Sequence, residues 1–240
     1  MARAALATGV RLGGERRVAS VLFFDLIGST AMTQRLEPED VVAVLNDVFG
    51  AVVDCVTKEG GWVNKFEGDA ALCVFGPPTE HIGHAAAALR AARALRTEFI
   101  ALAESHPGLD AAIGVSSGEV IAGNIGAADR YEYTVIGDAV NEAARLTEQA
   151  KKVPERLLAS HAAVAEAGDE MCWWRAHEPM LLRGRSSATE TYVPLAVRRA
   201  GGTSRLRGNA KAPSSRAAES PLRQGAPFAH GSPQRRRRRD

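Results

Sequence analysis

The stretch Trp62–Phe75, WVNKFEGDAALCVF, constrains this chain more than any other. Trp62, Asn64 and Phe66 alternate with Val63, Lys65 and Glu67, which is the period-two pattern of a strand. Glu67-Gly68-Asp69 then supplies a reversal in which Gly68 can take the positive φ of a tight turn. The return run, Ala70 to Phe75, is almost wholly apolar, as in a strand buried on both faces. The hairpin therefore sets an acidic side chain at the rim of a core, shortly after a lysine. Taken alone, it is an ordinary hairpin with a solvated Asp69 in its turn.

A second acidic residue changes that reading. Val18 to Phe24, VASVLFF, is another continuous apolar run, and the strand Arg16–Asp25 ends in Asp25-Leu26-Ile27-Gly28-Ser29-Thr30 before a helical pattern. Asp25 is then expected where a strand runs out, ahead of a helix start. It suits an N-cap or a metal ligand equally well. The amides around Gly28, Ser29 and Thr30 are placed to hold phosphate oxygens at that helix start. The third piece is Tyr131–Leu146, YEYTVIGDAVNEAARL. A short β-prone run meets Gly137-Asp138 and then a helix, on which Asn141 and Arg145 share one face. An amide and a guanidinium there suit an anionic, oxygen-rich transition state, although such a pair is more often simply solvated.

Together these segments resemble the catalytic domain of the class III nucleotidyl cyclases: FFDLIGST, then NKFEGDAALCVFG, then YTVIGDAVNEAAR, in that order and spacing. The resemblance covers Arg16 to Val197. It implies a ferredoxin-like α/β (α+β) sandwich with an antiparallel-rich sheet, helices on one face and an arm. Such a fold hosts many functions, so the motifs and not the fold carry the assignment. The implied reaction is ATP to 3′,5′-cyclic AMP and pyrophosphate, by in-line attack of the ribose 3′-oxygen on the α-phosphorus. Two Mg²⁺ ions, with Mn²⁺ as a substitute, would be held by Asp25, Asp69 and the Leu26 carbonyl. Asn141 would orient the ribose and Arg145 would stabilise the transition state. A basic residue of the last loop, Arg183 with Arg185 close behind, would bind the terminal phosphates.

Base choice follows from hydrogen-bonding edges. Adenine N1 is an acceptor, which suits the Lys65 ammonium, and its N6 is a donor, which the Thr134 hydroxyl can accept from. Guanine reverses that edge. Guanylyl members usually carry Glu at the Lys65 position and a smaller residue such as Cys at the other. Thr134 departs from the commonest adenylyl pattern, which has Asp, and resembles a bacterial subgroup with Thr. The alternatives are a guanylyl cyclase and a catalytically silent, nucleotide-binding regulatory homologue; the latter typically loses a metal Asp or the Asn/Arg pair, and none is missing here. In the family the site lies between two domains set head to tail. A chain carrying both residue sets and one such domain implies a homodimer.

Elsewhere the pattern predicts helices from Gly28 to Leu36, from Pro38 to Gly60-Gly61, from His81 to Leu102 and over Gly137–Lys151, with a short one at His161–Ala167. Strands are expected at Asp110–Ala122, Leu157–Ser160, Met171–Leu182 and Thr189–Leu195, and a turn-rich loop at Asn124–Arg130. His81 and His84 read as surface or capping histidines. Cys55, Cys73 and Cys172 form no Cys-x-x-Cys pair and read as small core residues of a reducing compartment.

The 240 residues suit one domain with tails, and the net charge of +2 says little about partners. Residues 1–15 read as a flexible leader, residues 16–197 as the domain, and residues 198–240 as a disordered tail rich in Gly, Ser, Pro, Ala and Arg. The run Arg235–Arg239 allows weak anionic contacts, but no recognition fold supports specific nucleic-acid binding. No run approaches a membrane span, and the expected location is cytoplasmic.

Overall fold

The sheet is organised by its longest strand. β1, Gly13–Ile27, is exposed over its first residues and buried from Ala19 inward. In the computed structural model, which describes residues 12–127 and 129–195, β1 pairs antiparallel with β3 (Ala70–Phe75) on one edge. On the other edge it pairs along its whole length with β4 (Asp110–Ala127). Neighbours on both edges and helices on both faces account for the apolar residues from Ala19 to Phe24, among which the buried Ser20 is satisfied by His84 and Ser117. β2 (Trp62–Glu67) closes one side against β3. On the other side β4 runs parallel to β6 (Leu157–Ser160), followed by β8 (Thr189–Pro194) and β7 (Trp174–Met180) in antiparallel order. β5 (Arg130–Ile136) folds back on the outer part of β4. The result is an open, mostly antiparallel sheet in a mixed α/β domain.

The helices are α1 (Ser29–Thr33), α2 (Pro38–Lys58), α3 (His84–Ser105), α4 (Asp138–Ala150) and α5 (His161–Ala165). Leu22 and Phe24 pack with α2, α3 and α5, and Phe24 meets Phe99 at a ring distance of 5.0 Å. Val21 and Leu72 instead pack with Ala143 of α4. Successive residues of a strand point to opposite faces, so α4 covers the face opposite α2 and α3. This corrects the expectation of helices on one face.

Several boundaries differ from the sequence reading for local reasons. β1 begins at Gly13, not Arg16, because Gly13 and Gly14 already pair with Asn124 and Gly123. α1 stops at Thr33, well short of Leu36. α3 begins at His84, since Gly83 at φ 76° cannot continue a helix backwards to His81. The expected loop Asn124–Arg130 is largely strand, with Ala127 paired to Arg130 across the tip of an arm. Met171–Leu182 is not one strand: Gly168–Trp173 forms a 3₁₀-helix, held by the buried Glu170 carboxylate, which accepts from Arg93 and from the Trp174 indole. Cys55 and Cys73 are buried, and desolvation pushes the Cys55 thiol up to about 11. Cys172 is exposed, not a core residue. The leader up to residue 11, the last two residues of the expected domain (196–197) and the tail 198–240 lie outside the described residues, and with them the Arg235–Arg239 run. Among the described residues no helix is long and apolar enough to cross a membrane.

Candidate active site

Backbone register brings the first two acidic residues together. Asp25 pairs with Ala70, and the Leu26 amide donates to the Asp69 carbonyl at 3.3 Å. Gly68 takes φ 66° in the intervening turn, as its position requires. Asp25 and Asp69 therefore share one end of adjacent strands. Asp25 is not the last residue of its strand, because β1 keeps its pairing with β4 through Ile27. The Leu26 side chain is buried, which leaves only its backbone to serve a ligand.

The donor set is already occupied by a cation in part. Lys151, the residue after α4, sets its ammonium 2.5 Å from Asp25 Oδ2 and 2.9 Å from Glu148 Oε1. Burial alone would lower this lysine, but the hydrogen bonds and charges of Asp25 and Glu148 outweigh it and hold it raised. An ammonium standing on Asp25 is the observation expected of an oxygen site fit for a positive ion. Among the described residues no cluster of three or more His, Cys, Asp or Glu gathers as a metal centre. The fit therefore rests on two carboxylates and backbone oxygen, a hard-ligand set that suits Mg²⁺ or Mn²⁺.

Gly28, Ser29 and Thr30 open the five-residue helix α1. Gly28 has φ 92°, and a Cβ there would stand 2.5 Å from the Gly108 carbonyl. Only glycine fits this turn between β1 and α1.

α4 is seated by another close approach. A Cβ at Gly114 would lie 2.2 Å from the Ala143 carbonyl, so the helix rests directly on β4. Thr147 Oγ1 also donates to the Phe23 carbonyl at 3.1 Å. This seating places Asn141 and Arg145 in a cleft of about 670 Å³ shared with Glu148, Lys152, Arg183 and Gly184. A Cβ on Gly184 would be 3.6 Å from Arg145 Nη2, so the last loop reaches the guanidinium. Arg183 lines the cleft and is exposed, whereas Arg185 is committed elsewhere. Arg185 Nη2 stands 2.5 Å from Asp138 and 3.1 Å from Glu142, whose other oxygen accepts from Ser116 at 2.5 Å.

Lys65 lies on β2 and Thr134 on β5, and the link between them runs through Asn64, the chain neighbour of Lys65. Lys65 Nζ lies 3.5 Å from Glu67 and 3.6 Å from Glu132. Thr134 is buried and bonds Asn64, the neighbour of Lys65, at 2.8 Å. Asn64 also donates to the Tyr133 carbonyl at 2.8 Å. Sequence reasoning passed over Asn64. Its only signal is a position inside β2 next to Lys65, and the register shift between Val63 and Lys65 that turns it towards β5 is a tertiary fact.

The structure thus yields an Asp25–Asp69 group, an Asn141–Arg145–Arg183 group, and a Thr134–Asn64 pair with Lys65 next to Asn64 in the chain. Among the described residues no hydrogen bond or ion pair joins Asp25 or Asp69 to Asn141 or Arg145. His81 and His84 stand apart from all three groups. His84 Nδ1 bonds Ser20 at 2.8 Å, and desolvation lowers its pKa.

Residues 15–194 match the family model described as the adenylate and guanylate cyclase catalytic domain. An uncharacterized protein of Mycobacterium tuberculosis, Rv1318c, is 45% identical over 188 residues, which are 78% of this chain and 34% of that protein. The chain thus spans about a third of the length of such relatives. Among solved structures, the adenylyl cyclase CyaB of P. aeruginosa superposes with a TM-score of 0.69 at 27% identity, covering 80% of this chain and 100% of that one. The guanylyl cyclase Cya2 superposes with a TM-score of 0.61 at 31% identity, covering 76% and 94%.

Proposed function

Because this chain belongs to the adenylate and guanylate cyclase catalytic-domain family, we propose that it is an adenylyl cyclase, converting ATP to 3′,5′-cyclic AMP and pyrophosphate. The observation that carries the choice of ATP is the Thr134 hydroxyl held by Asn64, whose chain neighbour Lys65 supplies an ammonium donor on the same strand. That pairing matches the acceptor at adenine N1 and the donor at N6.

In the reaction, the ribose 3′-oxygen bonds to the α-phosphorus and loses its proton, while the α–β bridging bond breaks and pyrophosphate leaves. Asp25 and Asp69, with the Leu26 carbonyl, would hold two Mg²⁺ or Mn²⁺ ions, whose chemistry is to acidify the 3′-hydroxyl and take up phosphate charge. Asn141 orients the ribose. Arg145 places its guanidinium against the α-phosphoryl oxygens, where charge grows in the transition state. Arg183 and the amides at Gly28, Ser29 and Thr30 hold the terminal phosphates. The acidic pair and the Asn141–Arg145 pair come from different copies in a head-to-tail homodimer, which gives two equivalent sites. Residues 16–197 form the catalytic domain, flanked by a leader and a basic tail.

Purified protein given ATP or GTP with Mg²⁺ or Mn²⁺, with the product identified by mass, tests this reading. Cyclic AMP from ATP is the expected product. A guanylyl cyclase is the second reading, favoured by the 31% identity to a guanylyl cyclase; cyclic GTP-derived product in excess would establish it. ATP binding without turnover in either metal would instead indicate a silent regulatory homologue.

A further inference from the structure

Resting on that reading of the base subsite, we propose that Asn64 is a positioning residue that makes the Thr134 hydroxyl an obligate acceptor, and so selects a 6-amino over a 6-oxo purine. The argument is one of donors and acceptors. Thr134 carries one hydroxyl hydrogen and two lone pairs, so a free threonine could serve either purine by rotating its hydroxyl. Here rotation is blocked. The Asn64 amide nitrogen donates to the Tyr133 carbonyl at 2.8 Å, which fixes the amide orientation and turns Oδ1 to Thr134. Oδ1 can only accept, and it lies 2.8 Å from Thr134 Oγ1. The hydroxyl hydrogen is therefore spent on Asn64.

Burial keeps this arrangement from being exchanged with solvent: Thr134 is only 7% exposed. The bulge explains why Asn64 can do this. Val63 pairs with Cys73 and Lys65 with Leu72, so Asn64 is the extra residue of β2 and its side chain is freed from the strand's alternation. What remains at Thr134 is lone pairs. A purine amino group finds an acceptor there, whereas a purine carbonyl oxygen meets lone pairs with no hydrogen between. The adjacent Lys65 ammonium completes the pattern without depending on Asn64.

The test is the ratio of kcat/KM for ATP over GTP in the full chain, for the parent, Asn64→Leu, Thr134→Val and the double variant. Competition by 3′-deoxy-ATP and 3′-deoxy-GTP, which cannot cyclise, gives the same ratio as a binding readout. Asn64→Leu should lower the ratio about tenfold, the size of one buried hydrogen bond reversed. Its kcat on ATP should stay within about threefold of the parent, because Asn64 touches no reacting atom. In the Thr134→Val background, Asn64→Leu should change the ratio no further, since it acts through the hydroxyl. If Asn64→Leu does not fold, Asn64→Val, a better strand former, takes its place. A parent-like ratio in the Asn64 variant, with Thr134→Val lowering it, overturns the role of Asn64 and leaves the base subsite intact. An additive effect in the double variant overturns it too. A parent-like ratio in Thr134→Val defeats the base subsite itself, and this inference with it.

Discussion

The acidic half of the site and the cationic half are made of different kinds of structure. Asp25 stands on β1 and Asp69 in the turn just before β3, and backbone bonds between the two segments hold them side by side. Asn141 and Arg145 project from a helix, and Arg183 from a loop with an exposed side chain. A strand and the tight turn bonded to it give a backbone spacing that side-chain motion changes little. A helix face and a loop give reach and adjustment. The contrast fits the proposed division of labour: ions need oxygens at one spacing, while a triphosphate chain must be followed as its charge moves.

The sharpest attempt to break the contrast removes one member of the acidic half. Asp25→Asn or Asp69→Asn should drop cyclic AMP formation to background while the melting temperature moves by only a few degrees. Near-normal turnover in either folded variant would remove the metal role from that half. In the cationic half, Arg145→Ala should lower kcat about 10²–10³-fold, the scale for one preorganised donor at a charged transition state. Mixing Asp25→Asn with Arg145→Ala protein sharpens the comparison further. Random exchange makes half the dimers mixed, each with one intact site of two, so activity should recover to about a quarter of the parent. No recovery, with exchange confirmed by native mass spectrometry, would place both halves in one chain.

Smaller effects separate the two arginines of the last loop. Arg183→Ala should raise the KM for ATP about tenfold and leave stability unchanged. Arg185→Ala should do the reverse. It strips the partly buried Glu142 of its cation, costing about 1–2 kcal/mol and a few degrees of melting temperature. A KM effect at Arg185 with none at Arg183 would exchange their roles. The smallest effect belongs to the ammonium on Asp25. Lys151→Met should tighten Mn²⁺ binding in the absence of nucleotide by about three- to fivefold, read by electron paramagnetic resonance, because a competing cation is gone. Weaker binding would mean that Lys151 orients Asp25 and does not compete for it.

Much of this site was legible because its chemistry is local. Gly68 demands a turn wherever it sits between two strand patterns, so Asp69 is placed by its neighbours. Asn141 and Arg145 need only the helical repeat. What was not legible depends on register and on distant partners. The bulge at Asn64 exists because Val63 and Lys65 pair with successive residues of β3. Nothing within β2 announces it. The second helix-bearing face depends on Gly114, whose missing side chain lets α4 touch the sheet. A glycine in a strand pattern signals only that something approaches. The split of Met171–Leu182 depends on Arg93, far along the chain, meeting Glu170.

The long pairing of β1 with β4 has a consequence for how the molecule assembles itself. It joins Gly13 to Asn124 and Ile27 to Asp110, residues about a hundred positions apart, so its closure carries a large chain-entropy cost and favours slow folding. Everything from α1 to α3 lies inside that loop. The β2–β3 hairpin and the α2–α3 pair can form from near neighbours first, and shorten the effective loop before the central strands meet. Asp25 then reaches its final neighbours late, when β1 inserts between β3 and β4. A refolding chain should show helical signal well before it shows any affinity for a divalent ion.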